Sequence, residues 1–492
     1  MILAVACTTL ALLITERPLV GQNNPATPVL QYGFALPRTQ ALARVEAIAQ
    51  RLPSVPGEVL VKFRSGVQSS QQARALSVVR NGPSQMRWIG DVLLVRSESE
   101  PNTEVLAAIL QAQPEVEWAQ PNYMLALHAV PNDPSFNKQW NLSLINMSAA
   151  WDITGTRSSS VIVAVVDTGI TATNNSQAFP LWTGSEISTF AIPFLINPDI
   201  SGDRFTSSHD FVFWNGPVLD MVGHGTHVAG TILQETNNGL ALAGIAPQAR
   251  LMALKVCFGY WEMQIIRSAY GIPGFEPTES QGDCPTSEVV AAIRYAADNG
   301  AKVINLSLGG PQESPALLFA MRYAVQQGAF IAVSAGNDYE ESNQANYPAA
   351  YAKGINGVMA VGAVNRSRRR AFYSNTGSKP EIVAPGGDQR EGGVAGLIYQ
   401  VGIFAPDFDT DAVIVPRFDR YYEDPKQGTS MASPHIAGLA VLLYAQGITN
   451  PAAIESAIKR SAVDLGPAGE DNEYGAGLID ARAALRGMGV AR

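Results

Sequence analysis

The sequence predicts an α/β protein whose main body is a doubly covered, mainly parallel sheet, with a smaller α+β domain ahead of it. Three observations lead there. Five apolar runs of strand length, Val161–Val166, Leu251–Val256, Val303–Leu306, Phe330–Val333 and Val358–Val361, alternate with helix-length segments such as Glu288–Asp298 and Ala316–Gln326. Runs that are apolar throughout, rather than at every second residue, suit strands covered on both faces. Upstream, residues 56–123 read as strand, helix, strand, helix, strand, the order of a small open-faced sheet. Finally, 492 residues with 46% hydrophobic content can bury more than one core.

Taken in order, Met1–Ile14 is apolar and short for a bilayer span, so 1–22 reads as a signal segment, although it lacks the basic n-region such a segment usually carries. Residues 23–55 are weakly patterned and read as a leader or linker. Within 56–125, Glu58–Phe63 alternates like a strand and Gln68–Val79 reads as a helix. Met86–Val95 follows as a second strand, Thr103–Gln111 as a helix and Val116–Ala119 as a short strand. Val130-Pro131-Asn132-Asp133-Pro134 marks a turn, and one large domain is expected over 131–487. Two stretches interrupt the alternation, Phe258–Gly282 and Gly386–Lys426. They are expected either to edge a cleft or to be long surface loops.

Three polar stretches sit where apolar segments meet their turns. Val161-Ile162-Val163-Ala164-Val165-Val166-Asp167-Thr168-Gly169 ends an apolar strand in a carboxylate. Ligand sites of open α/β sheets lie at such carboxyl ends. Gly223-His224-Gly225-Thr226-His227 places a histidine in a Gly-flanked turn before an apolar segment. Gly428-Thr429-Ser430-Met431-Ala432-Ser433-Pro434-His435 precedes Ile436, Leu439, Ala440, Leu442 and Leu443, the pattern of a buried helix. Ser430 then falls at a helix start, where free N–H groups and the dipole favour negative charge. Pro434 is expected to be harmless in the first turn, where amides lack intrahelical partners. Each residue alone has a plain structural reading: a strand-ending turn, a turn histidine, a helix cap. Together, in the Asp, His, Ser order of subtilisin, they resemble the subtilisin-like (subtilase) serine proteases nearly residue for residue.

The resemblance implies a serine endopeptidase, secreted and made as a self-processing precursor. Asp167, His224 and Ser430 would be catalytic, and Asn337, in Ser334-Ala335-Gly336-Asn337, would donate to the oxyanion. Ser307, Leu308, Gly309 and Gly310, with Ser334, Ala335 and Gly336, would wall the main specificity pocket. Asn346 would lie near its base, giving a medium-sized pocket with a polar floor. Polypeptide substrates would bind as extended strands. Asp133, Asp199 and Asn238 match calcium-binding positions of relatives, and oxygen donors suit that ion. The chemistry itself would need no cofactor. Residues 56–125 resemble the family's inhibitory propeptide, a ferredoxin-like fold acting as an intramolecular inhibitor. Tyr474-Gly475-Ala476-Gly477-Leu478-Ile479-Asp480 resembles the family's closing motif.

Other classes fit poorly. A net charge of −9 argues against nucleic acid as partner, and Arg366, Arg368, Arg369 and Arg370 read as a solvated loop. No stable membrane insertion is expected, and the enzyme is expected to be monomeric. His-Gly-Thr-His lacks the Glu and the i,i+4 spacing of a zinc protease. Gly428-Thr429-Ser430-Met431-Ala432 lacks the second Gly of an α/β-hydrolase elbow. Of three cysteines, Cys257 and Cys284 are either a disulfide or two buried thiols. Competing functions are a catalytically silent homologue acting as a binding protein, and an esterase or peptide ligase using the same residues.

Overall fold

In this computed structural model the described residues are 38–49, 52, 54–124, 130–154, 157–214, 216–272, 282–403 and 416–487. The expected signal segment 1–22, much of 23–55, and parts of 258–282 and 386–426 lie outside them. The chain divides into two compact units, 1–126 and 127–492.

The first unit runs α1 (Arg38–Ala49), β1 (Ser54–Phe63), α2 (Ser69–Leu76), β2 (Gln85–Ile89), β3 (Val92–Arg96), α3 (Thr103–Gln111) and β4 (Val116–Tyr123). Its sheet has the order β2-β3-β1-β4, antiparallel throughout, the plan of a ferredoxin-like β-α-β-β-α-β fold. Val59, Val61, Leu93 and Val95 pack under Leu76, Leu106 and Leu110. Two expectations change. Met86–Val95 is not one strand, because Gly90, at φ 62°, turns the chain so that β2 pairs back on β3. The stretch read as linker contains α1, which buries Ala43 and Ala47 while Leu42, Val45 and Ile48 are exposed. With small residues on its inner face, α1 carries no strong apolar stripe for sequence to display.

The second unit opens with α4 (Trp140–Leu144) and α5 (Met147–Thr154), then β5 (Ile162–Asp167), β6 (Asn175–Trp182), β7 (Ile187–Phe194), β8 (His209–Asp210) and α6 (His224–Leu233). It continues with β9 (Arg250–Lys255), α7 (Tyr260–Ala269), α8 (Thr286–Asp298), β10 (Val303–Leu306), α9 (Pro315–Gln326), β11 (Phe330–Ser334), β12 (Val358–Val364) and β13 (Ile382–Pro385). Last come β14 (Ile398–Ile403), β15 (Tyr421–Lys426), α10 (Thr429–Ala445), α11 (Pro451–Ser461) and α12 (Ala481–Arg486). Seven strands form one sheet in the order β13-β12-β11-β10-β5-β9-β8, and every pairing is parallel.

The two-residue strand period sorts the core. Val163 and Val165 of β5 face a cluster with Val228 of α6 and Ile436 and Leu439 of α10. Ala164 and Val166 face the opposite cluster, with Ile293 of α8 and Met321 of α9. Both faces are therefore covered, which is why these strands read as unbroken apolar runs.

The segments that interrupt the alternation join the β6–β7 hairpin in a third cluster. β6–β7 and β14–β15 are separate antiparallel hairpins outside the main sheet. Leu181, Ile192 and Phe194 from the first meet Trp261 and Ile265 of α7, Ile403 of β14, and Phe418. The described part of 258–282 is thus mostly helix, and that of 386–426 contains the β14–β15 hairpin. Phe194 and Phe418 stack at 5.1 Å between centroids, and Phe418 N–H donates to Pro193 O at 3.0 Å. Among the described residues, no helix is long and apolar enough to cross a membrane.

Candidate active site

Asp167 is the last residue of β5, and His224 the first of α6. Gly223, at φ 88°, makes the left-handed turn between the incoming loop and that helix. His224 Nδ1 donates to Asp167 Oδ1 at 2.7 Å, and Thr168 N–H donates to the same oxygen at 2.8 Å. Asp167 is 2% exposed, so its carboxylate acts on the imidazole with little solvent screening. Burial alone would push the His224 pKa down, but the adjoining Asp167 charge and hydrogen bond leave it raised.

His227, one turn further on, is the reverse case. It is fully buried, its Nε2 donates to the carbonyls of Ile398 and Asp424, and burial pushes its pKa down to about 4. It is a neutral structural residue tying α6 to the β14–β15 hairpin.

Ser430 is the second residue of α10, after Gly428 at φ 147°. Pro434 is not in the first turn, as expected, but in the second. A residue there would normally donate to the carbonyl of Ser430. That carbonyl instead accepts the Ser307 hydroxyl at 2.8 Å, so the missing N–H frees an acceptor for the cleft wall. The Ser430 hydroxyl donates to Ser307 O at 3.2 Å. Ser433 has no such freedom, being fully buried with its hydroxyl on Asn305 Oδ1 at 2.8 Å.

Asn337 is oriented by its oxygen. Oδ1 accepts from the N–H of Thr429 at 2.8 Å and from its hydroxyl at 2.9 Å. The side-chain amide N–H groups are thereby turned away from those contacts, on a residue that lines the cleft with Ser430.

That cleft has a volume of about 490 Å³ and is lined by Asp167, His224, Asn337 and Ser430 together. Of the residues expected to wall a specificity pocket, Ser307, Leu308, Gly309, Gly310, Ser334, Gly336 and Asn346 all line it. Ala335 does not; its side chain is buried and its N–H bonds Val361 O, continuing the sheet. A Cβ on Gly309 would stand 1.9 Å from Asn346 Oδ1, so any larger residue there would push the Asn346 side chain out of its place. The same Oδ1 is buried without a hydrogen-bond partner, a polar spot within the cleft. Cys257 and Cys284 are joined in a disulfide, and both line the cleft at the neck of the 258–282 segment.

The residues expected to hold calcium lie close together. Asn238 Nδ2 donates to Asp199 Oδ1 at 2.7 Å, and Gln234 Nε2 to Asp199 Oδ2 at 3.0 Å. Asp133 Oδ2 accepts from Asn237 N–H at 3.0 Å, whereas its Oδ1 is buried and without a partner. Both carboxylates are buried, and desolvation, with the Asp133 charge adding to it, lifts the Asp199 pKa to about 7. Among the described residues no group of three or more His, Cys, Asp or Glu could hold a metal. Any cation here would need amide and carbonyl oxygens beside these two carboxylates.

Sequence reading missed the groups behind the Asp–His pair. Asp220 is fully buried and its Oδ2 accepts from Thr226 N–H and hydroxyl, at 3.0 and 2.6 Å. Its Oδ1 accepts from Val222 N–H, Gly223 N–H and the Thr168 hydroxyl. An Asp four residues before a helix start is a detectable signal, but the partner Thr168 lies 52 residues away.

Comparison with known proteins agrees with this geometry. Residues 158–477 match the profile of the subtilase family, peptidase S8. The chain is 31% identical over 448 residues to a thermophilic serine proteinase of Bacillus sp. strain AK1, covering 90% of each. It is 29% identical over 357 residues to thermitase of Thermoactinomyces vulgaris, covering 72% of this chain and 99% of that one. A solved protease of Pseudoalteromonas arctica PAMC 21717 superimposes with a TM-score of 0.53 at 27% identity, covering 73% of this chain and 99% of that chain. On its parallel sheet, its motifs and these matches, the chain belongs to the subtilase family of subtilisin-like serine proteases.

Proposed function

We propose that this enzyme is a secreted endopeptidase acting through Asp167, His224 and Ser430, with Asn337 in the oxyanion hole. One observation carries the reading: the 2.7 Å Asp167–His224 bond opens on the same cleft as Ser430 and the oriented amide of Asn337. The Ser430 Oγ attacks the scissile carbonyl carbon while His224 Nε2 takes its proton. Asp167 holds Nδ1–H in place and stabilises the imidazolium. The Asn337 amide and the Ser430 N–H meet the oxyanion. Collapse expels the amine with the proton from His224, and water then hydrolyses the acyl-enzyme. The Ser430 hydroxyl turns from Ser307 O to the imidazole as substrate arrives, since such bonds often tighten only in the Michaelis complex. Because a neutral imidazole is required, the acid limb of kcat/KM should fall above pH ~6.5, the ordinary imidazole value. A profile with no titration between pH 6 and 9 would remove His224 from the role of base.

Polypeptide substrates lie extended along the cleft, with one side chain entering beside Gly309 and Asn346. The buried Asn346 oxygen favours a medium-sized pocket with a polar floor. Residues 56–125 serve as an intramolecular inhibitor, and the precursor cuts itself between 123 and 133. A ferredoxin-like unit ahead of the candidate site supports this, and Ser430→Ala should accumulate uncut. Trimming of that variant at the same bond in a protease-free system would end the self-processing reading. Export is supported by the Cys257–Cys284 disulfide, a bond rarely kept in a reducing cytosol.

Calcium fits Asp133, Asp199 and Asn238: two buried carboxylates sit together and one oxygen lacks a partner. Bound there, the ion would stabilise the folded state and take no part in catalysis. Chelation should therefore lower Tm and calcium restore it; an unchanged Tm in metal-free protein would exclude the site.

A further inference from the structure

Lys255, the last residue of β9, is fully buried with its ammonium under the start of the catalytic loop. Its Nζ donates to Thr168 O at 2.6 Å and to Glu262 Oε1 at 2.6 Å. Glu262 is equally buried and belongs to α7, inside the segment that interrupts the α/β alternation. Its other oxygen accepts from Gly259 N–H at 3.0 Å, which fixes the first turn of α7. A Cβ on Gly259 would stand 2.3 Å from Val222 Cγ2, so α7 begins tight against the loop leading to His224.

Thr168 gathers these contacts. Its N–H goes to the Asp167 carboxylate and its carbonyl accepts Lys255. Its hydroxyl donates to Asp220 at 3.0 Å and accepts Gly225 N–H at 2.9 Å. Asp220 in turn holds Gly223 and Thr226, on either side of His224. A continuous buried polar path thus runs from Glu262 through Lys255, Thr168 and Asp220 to the turn carrying His224.

We infer that Lys255 and Glu262 are positioning residues for the Asp167–His224 pair, with α7 supplying the counter-charge that keeps a buried cation on Thr168 O. The inference rests on the assignment of Asp167 and His224 above. A buried ion pair is poor support for stability, because apolar residues of similar volume commonly serve as well. Here the cation holds a backbone carbonyl next to the catalytic carboxylate, where small misplacements weigh heavily on rate. Burial opposes the Lys255 charge, but Glu262, and then Asp210 and Asp220, keep its pKa raised. The charged groups facing His224 are Asp167 and Asp220, which favour its protonation, and Lys426, which opposes it.

Two variants of the full chain test this against the unsubstituted enzyme. Glu262→Gln removes the carboxylate bonded to the Lys255 ammonium, so kcat should fall about tenfold with KM unchanged. The acid limb of kcat/KM should move to lower pH, since the field at His224 becomes more positive. The apolar double variant Lys255→Met/Glu262→Leu should fold, keep the Cys257–Cys284 bond, and still show the lowered kcat because Thr168 O has lost its donor. If Glu262→Gln does not fold, the double variant alone decides. Wild-type kcat and pH profile in the double variant, with only Tm altered, would overturn the inference. An unsubstituted enzyme that hydrolyses no peptide and takes no fluorophosphonate would instead sink the catalytic assignment beneath it.

Discussion

The carboxyl end of the parallel sheet and the rim of hairpins beside it are built on different terms. At the sheet end, Asp167 closes β5 while His224 and Ser430 open two buried helices, and the strands and helices that carry them are set by the parallel sheet. At the rim, β6–β7, α7 and β14–β15 lie between the three motifs in sequence and share no strand pairing with the sheet. They hold together through side chains such as Phe194, Trp261 and Phe418. The sheet end can therefore keep its fold when the rim changes, while its chemistry depends on the rim through the Glu262–Lys255 contact. The rim, with a core of its own, can loosen first.

The sharpest test lies at the sheet end. Ser430→Ala should remove nearly all turnover; the corresponding loss in subtilisin is ~10⁶-fold in kcat. Fluorophosphonate should label Ser430 alone, and a peptide map placing the label on buried Ser433 would break the assignment. Asn337→Ala should reduce kcat by ~10²–10³-fold with little change in KM, the scale known for a subtilisin oxyanion-hole asparagine. A loss carried mainly by KM would move Asn337 out of that role.

At the rim the expected effect is on stability. Phe418→Ala removes a fully buried ring stacked on Phe194 and should destabilise by roughly 3–5 kcal/mol. Hydrogen exchange should then rise first in β6–β7 and β14–β15, while β5 and β10 stay protected. Uniform loss of protection across both regions would mean that the rim and the sheet form one cooperative unit.

A smaller effect separates the histidines. His227 and His435 are buried neutral, each with a pKa pushed down by burial to about 4. The unfolded chain takes up their protons near pH ~6.5, so stability is intact above that value and is lost as pH falls toward 4. Each should contribute about 3 kcal/mol to this loss by the acid end of the window. Denaturation series between pH 7 and 4 will read it, and His227→Gln should flatten the slope. An unchanged slope would mean that His227 is already protonated in the folded state.

Much of the site was legible because its chemistry sits in short contiguous motifs. The runs Val161–Asp167, Gly223–Gly230 and Gly428–His435 each carry their own turn and glycine signals, and all land at the ends expected of them. The same holds for strands such as Val303–Leu306, whose unbroken apolar character follows from burial on both faces. Helix α1 was not legible, since its buried face is alanine. Nor was the β6–β7 hairpin read, although Phe179, Leu181, Ile187 and Ile192 around Thr183-Gly184-Ser185 carry a strand-and-turn pattern.

What the sequence by itself determined was the sheet, its order of chemical motifs and the family, because local periodicity and turn chemistry act over a few residues. The tertiary structure alone decided which distant groups serve them. Pro434 gained meaning only when Ser307 was found on the carbonyl it frees, 123 residues away. Thr168 and Asp220 meet across 52 residues, and Lys255 finds its counter-charge in a helix the α/β alternation does not call for. Such pairings are chosen by packing and desolvation in the folded chain, since a buried charge must find its partner wherever the fold brings one.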